Sequence, residues 1–144
     1  MLFNVSLAKS VLKKYGDFPR TDTHAHTNYS DGCATVKQLV KVAKKRGFSV
    51  MTKTDHNTVK GNAKLKRECK REGIIYIPGV ELSTKKGHMV VLNVEDIEFA
   101  KAVSFEELVD QIHERNGIAV MAHPWWGESM REEVFQYGFL DGFE

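Results

Sequence analysis

Thr21-Asp22-Thr23-His24-Ala25-His26-Thr27-Asn28-Tyr29-Ser30-Asp31-Gly32 is the stretch from which the rest of the chain is best read. His24 and His26 alternate, so on an extended strand both imidazoles point to one face. Asp31 follows five residues on, in a polar loop where the Asp31-Gly32 step signals a turn. Two imidazoles and a carboxylate at a strand end can make one side of a divalent-metal site. A His-x-His pair is as often an ordinary surface or core feature, so the other chemistry-bearing residues decide between the two.

The chain has six histidines, at 24, 26, 56, 88, 113 and 123, and five of them fall at the ends of predicted strands. His56 lies in Thr54-Asp55-His56-Asn57, after the apolar run Phe48-Ser49-Val50-Met51. Glu81 ends Ile74-Ile75-Tyr76-Ile77-Pro78-Gly79-Val80. His88 opens Met89-Val90-Val91-Leu92, and His123 closes Ile118-Ala119-Val120-Met121-Ala122 before Pro124. His113 sits inside a helical pattern over 104–116 and reads as a helix-surface residue.

Working outward, residues 5–15 read as a short amphipathic helix, part of a lead-in over 1–19. Strands are expected at about 20–25, 48–54, 74–81, 88–94 and 117–122, with a sixth beginning near Phe139. Helices are expected at about 35–46, 58–72, 104–115 and 128–137, the third with Ser104 and Glu107 as a capping box. Strands alternating with helices predict a parallel sheet with right-handed crossovers, an α/β fold. In barrels of this kind the strand-to-helix loops converge at the C-terminal ends of the strands, where the candidate ligands fall. His88 is the exception. It fits a hairpin in which its strand runs antiparallel to the one before, or a side chain reaching across.

At 144 residues, 42% of them hydrophobic, the chain is expected to be one domain, 1–144, with a real core. Residues 1–72 carry 16 Lys/Arg against 6 Asp/Glu, and residues 73–144 carry 5 against 13. The two basic helix candidates can bind phosphate-rich ligands or nucleic acid, or can be solvated faces. Cys33 and Cys69 are 36 residues apart and suggest neither a disulfide framework nor a zinc ribbon. Cys33, beside the Asp31 loop, lies near the candidate site or only fills space. No apolar run approaches the length of a membrane span, and the first residues lack a secretory pattern, so a cytoplasmic location without membrane contact is expected.

With His24-x-His26, Asp31-Gly32, Thr54-Asp55-His56-Asn57, Gly79-Val80-Glu81, His88 and Ala122-His123-Pro124 in this order, residues 20–144 resemble the PHP (polymerase and histidinol phosphatase) family. The resemblance implies a distorted seven-stranded β/α barrel and two or three divalent ions. It implies phosphomonoester hydrolysis or exonucleolytic cleavage of nucleic acids. Carried over, His24 and His26 would bind a first metal, Glu81 would bridge it to a second, and His88 and His123 would complete the second. Asp31 and His56 would hold a third. Glu81 and Asp55 would be the catalytic carboxylates, Asp55 accepting from an imidazole N–H or a metal-bound water; otherwise Asp55 is a turn or cap residue. The family ends its motifs with an Asp-x-His on the last strand, whereas this chain stops at Leu140-Asp141-Gly142-Phe143-Glu144. The expectation is a barrel incomplete at the C-terminus, in which the first and third metals each lack one ligand.

Mixed His/Asp/Glu ligation suits Zn²⁺, Mn²⁺ or Fe²⁺ better than Mg²⁺ or Ca²⁺. Such ions clamp phosphoryl oxygens and lower the pKa of bound water toward about 7, making a metal-bound hydroxide the nucleophile candidate. No Ser-His-Asp or Cys-His pattern, Gly-rich phosphate loop or dinucleotide fingerprint competes. Trp125 and Trp126 can stack a base or sugar at a pocket rim, or cover the core. Arg20 is a candidate phosphate contact, while Lys53 alternates away from His56 and reads as facing helices or solvent. Three functions follow: a metal-dependent phosphoesterase hydrolysing a small phosphomonoester such as a nucleotide or sugar phosphate, an exonuclease on short nucleic acids, and a metal-binding or interaction module without turnover. The missing last strand leaves an apolar edge that a second copy of the chain can cover. Self-association is therefore expected, and sedimentation at high concentration should show a species heavier than a monomer; a sharp monomer boundary would refute it.

Overall fold

The computed structural model describes residues 19–101, 104–125 and 138–144. Its elements are β1 (Thr21–Asp22), α1 (Val36–Lys45), β2 (Val50–Met51), α2 (Asn62–Glu72), β3 (Ile75–Tyr76), β4 (Gly79–Thr84), β5 (Gly87–Leu92), a 3₁₀ turn (Glu98–Ala100), α3 (Phe105–Glu114), β6 (Ile118–Met121) and β7 (Gly142–Phe143). The helices expected at 5–15 and 128–137, and Trp126, lie outside the described residues.

The helices form where apolar spacing and caps coincide. Thr35 and Gln38 make a reciprocal capping box on α1, whose Val36, Val40 and Ala43 are buried at i, i+4 and i+7. Glycine in the left-handed region stops α2 at Gly73 (φ 69°) and also precedes it at Gly61 (φ 89°). Gly61 explains why α2 starts four residues later than its pattern predicts. Ser104 accepts from the Glu107 amide at the start of α3.

The sequence predicts a parallel sheet in a β/α barrel incomplete at the C-terminus, with the His88 strand antiparallel to its predecessor as one option; the structure has that antiparallel pair but divides the strands between two sheets. β1, β2 and β3 form a parallel three-stranded sheet, while β4, β5, β6 and β7 form a second, mixed sheet. An isolated parallel bridge between His56 and Glu81 joins them. Among the described residues no pairing connects β7 to β1, so the sheet is not closed into a barrel. The run 74–81 divides because Pro78 cannot donate to a ladder; its carbonyl instead accepts from Asn93. The short Lys85-Lys86-Gly87 turn leaves β4 and β5 no option but an antiparallel hairpin, which places His88 on the same rim as the end of β6.

One apolar core lies between β4, β5, β6 and α3, with Val80, Val91, Val109 and Ile112 fully buried. A second lies under α1 and α2, where Val36, Leu65 and Cys69 meet Met51 and Ile74. The outer faces of these two helices carry exposed Lys37, Lys41, Lys45, Lys64, Arg67 and Lys70. Cys33 is exposed and Cys69 buried, both as free thiols. No helix among the described residues is long and apolar enough to cross a membrane.

Beneath the candidate site lies a buried ion pair. Lys53 and Asp55 alternate onto one side of the chain after β2 and are both fully buried, with Nζ 2.8 Å from Oδ2. Lys53, expected to face helices or solvent, is instead buried against Asp55. Asp55 accepts from the Thr27 amide (2.8 Å), the Thr27 hydroxyl (2.7 Å) and the Ser30 hydroxyl (2.7 Å). Burial raises the Asp55 carboxyl, but Lys53, Ser30 and Thr27 outweigh it and hold it below its usual range. The loop from 26 to 32 is thus pinned from below. At its far end, a Cβ on Gly32 would lie 2.5 Å from the His26 carbonyl, so only glycine fits there. Removing one member of a buried pair strands the other charge, at about 3–5 kcal/mol. Lys53→Met is expected to destabilise the metal-free protein by about that amount, read from urea unfolding; a change below about 1 kcal/mol would show that the pair does not anchor the loop.

Candidate metal centre

Glu81, on β4, is fully buried, and imidazoles from five places in the chain surround its carboxylate. Oε2 lies 3.1 Å from His24 Nε2, 3.0 Å from His26 Nε2 and 3.4 Å from His56 Nδ1. Oε1 lies 3.1 Å from His88 Nδ1 and 3.0 Å from His123 Nε2. The two oxygens face different histidine pairs, and within each pair the ring nitrogens are themselves close, 3.0 Å for His24 and His26 and 3.4 Å for His88 and His123.

Local structure explains each position. His24 and His26 project from the segment after β1, where the Thr54 amide donates to the Ala25 carbonyl and the Thr54 hydroxyl replaces a backbone acceptor for the Ala25 amide. That substitution ends the regular ladder at Asp22, three residues short of the expected strand. His56 is held against β4 by the residue after it. Asn57 adopts φ 52°, which asparagine tolerates, and its side chain bonds the Ser83 amide (2.9 Å) and hydroxyl (3.0 Å). His88 stands opposite Ser83 in the hairpin, one pleat along the same face from Glu81. His123 follows β6 with φ 27°, a strained backbone for a side-chain-bearing residue.

A cavity of about 580 Å³ is lined by all seven expected ligands, His24, His26, Asp31, His56, Glu81, His88 and His123, and by Glu144. Asp31 sits at its exposed edge, 3.0 Å from His26 Nδ1 and 3.6 Å from His56 Nε2. Three groups have donor atoms close enough to share an ion: His24, His26 and Glu81; His26, Asp31 and His56; His56, Glu81 and His88. His56 Nδ1 is buried without a hydrogen-bond partner among the described residues, as a nitrogen suited to ligate an ion is. The donor set therefore fits divalent ions of the zinc, manganese or iron type.

Other expectations need correction. Asp55, expected at the imidazoles or a bound water, is absent from the cavity lining and contacts the Thr27–Ser30 loop and Lys53 instead. Arg20 is turned to the opposite end of the fold, donating to the Arg46 carbonyl at the end of α1 (2.8 Å) and lying over Phe48. Cys33 and Trp125 do not line the cavity, although Trp125 is highly exposed just past His123. His113, by contrast, is exposed on α3 as expected and pairs with Asp141 at 2.9 Å away from the cavity. Glu144 and Asn57 escaped the sequence reading. Neither carries a motif: Glu144 is marked only by its place at a strand end, and Asn57 only by its position after His56.

The electrostatics are those of a carboxylate wrapped in bases. The hydrogen bond to Glu81 lifts His24, burial opposes it, and Glu144 adds to the rise, so the imidazole is pushed up to about 9. Burial raises the Glu81 carboxyl, but hydrogen bonds from His24 and His123 and the charges of His24 and His56 bring it down to about 2. Burial dominates at His88 and moves it down. Asp31 falls below its usual range, its own backbone amide, Ser30, His26 and His56 outweighing a desolvation penalty.

A family model described as PHP domain matches residues 22–138. An uncharacterised protein of Methanocaldococcus jannaschii is 31% identical, with 87% of this chain and 80% of that protein covered. The 5'-3' exoribonuclease Rnm of Escherichia coli is 37% identical over 66% of this chain and 33% of its own length. A 3',5'-nucleoside bisphosphate phosphatase of Chromobacterium violaceum is 31% identical over 60% of this chain and 32% of its own. The chain thus spans about a third of the length of these two enzymes. Among solved structures, a two-domain protein from Bacteroides vulgatus, described as containing a predicted PHP-like metal-dependent phosphoesterase, superposes with a TM-score of 0.70. It is 18% identical and covers 87% of this chain and 43% of its own, a likeness of fold.

Because His24 is raised from 6.5, its contribution to metal-free stability is complete below pH 6.5 and lost as pH climbs through about 9. Glu81 is lowered from 4.5, so its contribution is complete above pH 4.5 and lost as pH falls through about 2. A divalent ion must displace the His24 proton from Nε2. The chelator-treated protein should melt highest near pH 4.5–6.5. Metal affinity should rise about tenfold per pH unit toward pH 9, seen as a widening gap in Tm between loaded and chelated samples. A gap independent of pH would show that no proton is displaced.

Proposed function

The chain belongs to the PHP domain family, and from that membership we propose that it is a metal-dependent phosphoesterase hydrolysing a small phosphomonoester, such as a nucleotide or sugar phosphate. One observation carries this reading: the two oxygens of a single buried carboxylate, Glu81, each face their own pair of imidazoles. His24 and His26 would hold one divalent ion, His88 and His123 a second, and Glu81 would belong to both; Asp31 and His56 would hold a third. Ions held there supply positive charge to phosphoryl oxygens and acidify water toward a pKa of about 7.

The chain's own residues do the rest. Neutral imidazoles ligate without cancelling the positive charge that a phosphate needs. The Glu81 carboxylate, kept ionised by its neighbours, fixes the separation of the two histidine pairs. The pinned loop from 26 to 32 presents Asp31 at the open edge, where an anionic substrate would enter. His123 also lines the cavity, its Nε2 3.0 Å from Glu81 Oε1. The phosphatase named among the relatives supports this substrate class.

A second reading, exonucleolytic cleavage of short nucleic acids, is favoured by the exposed cations of α1 and α2, the exposed Trp125 and the exoribonuclease among the relatives. Both readings share the metal centre. With Mn²⁺ or Zn²⁺, the protein should hydrolyse a chromogenic phosphomonoester, and Glu81→Ala should lower the rate about 100-fold or more and reduce metal content. His123→Ala should lose more metal than His113→Ala, by elemental analysis. Equal inactivity of the metal-loaded protein and its Glu81→Ala variant on this substrate, with cleavage of an oligonucleotide instead, would replace the first reading by the second; inactivity on both leaves a metal-binding module.

A further inference from the structure

We propose that Glu144 is a positioning residue for both halves of the metal centre, its carboxylate holding the Nδ1–H of His24 and the backbone N–H of His123. The proposal rests on His24 and His123 being metal ligands, as above. Oε1 of Glu144 lies 2.8 Å from His24 Nδ1, and Oε2 accepts from the His123 amide at 2.9 Å. The carboxylate is itself held in place, because the Glu144 amide donates to the Met121 carbonyl at 3.0 Å in continuation of the β6–β7 pairing.

Each contact has a consequence for ligation. A neutral imidazole has one N–H and one lone pair. A carboxylate at Nδ1 fixes the proton there and leaves the lone pair on Nε2, the nitrogen 3.1 Å from Glu81. The other tautomer would point an N–H at the ion. For His123 the device acts through the backbone. Its φ of 27° is a conformation that residues other than glycine adopt only when surroundings impose it. An acceptor on its amide supplies that constraint and keeps Nε2 3.0 Å from the other Glu81 oxygen. One side chain thereby hydrogen-bonds a residue of the first pair and a residue of the second.

The test compares Zn²⁺ binding by titration calorimetry in the full chain, in Glu144→Ala, in Glu144→Gln and in Asp141→Ala. Asp141 serves as the control because it accepts from His113 and from the Ala119 amide in the same segment without touching the cavity. Glu144→Ala is expected to weaken Zn²⁺ binding at both halves about 10–100-fold. Glu144→Gln should recover part of this, since its amide oxygen can still accept one of the two N–H groups, and Asp141→Ala should bind as the parent does. In the zinc-loaded protein, nitrogen-15 spectra should show a slowly exchanging Nδ1–H on His24 that Glu144→Ala loses. Unchanged affinity in Glu144→Ala, equal weakening in Asp141→Ala, or a His24 Nδ1–H signal that survives the loss of Glu144 would each overturn the proposal. A parent protein that binds Zn²⁺ tightly but hydrolyses no phosphate ester overturns only the phosphoesterase reading; one that binds no metal overturns both.

Discussion

A carboxylate withdrawn from water is tolerated only when something replaces the water, and at Glu81 the replacement is a ring of imidazoles. Five of them approach within 3.4 Å, from the segments after β1, after β2 and after β6 and from the start of β5. These segments are far apart in the chain, so the ring exists only if both sheets have formed and met at the His56–Glu81 bridge. The fold and the site are therefore one constraint. Without its bases the buried charge would be unsupported; without that charge, imidazoles packed at 3.0 Å would have nothing to satisfy them.

Precision at the ring is delivered by residues that do not line the cavity. The Lys53–Asp55 pair fixes the loop bearing His26 and Asp31 from underneath, Gly32 lets that loop close on its own backbone, and Asn57 clamps the turn after His56 to β4. Each uses a local peculiarity: a buried charge pair, a missing Cβ, an asparagine at positive φ. Their common effect is to remove freedom from the side chains that line the cavity, which is how a scaffold lowers the entropy lost on binding.

The residues that gather at the cavity are legible in the sequence because imidazole and carboxylate side chains carry their chemistry wherever they fall, and strand ends are where such loops converge. All seven line one cavity. The helix positions were legible too, since Thr35 with Gln38, the spacing of Val36, Val40 and Ala43, and the glycines at 47 and 73 are local signals. Pairing between strands is not local. Nothing in the run 74–81 except Pro78 tells that Tyr76 belongs to one sheet and Val80 to another. Lys53 was misread for a related reason: alternation says which residues share a face, yet not whether that face meets solvent or a buried partner such as Asp55. Glu144 was passed over because a carboxylate at a strand end has no motif, only a neighbour.

The sharing of imidazoles limits how many ions the ring can serve at once. His26 lies between the first pair and Asp31, and His56 lies between Glu81 and Asp31. A neutral imidazole has one lone pair, so neither ring can ligate on both sides. If His26 turns Nε2 to the Glu81 side, its Nδ1–H is a donor, and Asp31 at 3.0 Å is its acceptor rather than its fellow ligand. Asp31 then stands to His26 as Glu144 stands to His24, a carboxylate fixing an imidazole from behind. Two histidine pairs thus stay gathered about Glu81, while a third group at Asp31 keeps only His56 beside it and lies at the exposed edge of the cavity. The cluster grades from buried and rich in nitrogen donors at Glu81 to exposed and poor in them at Asp31.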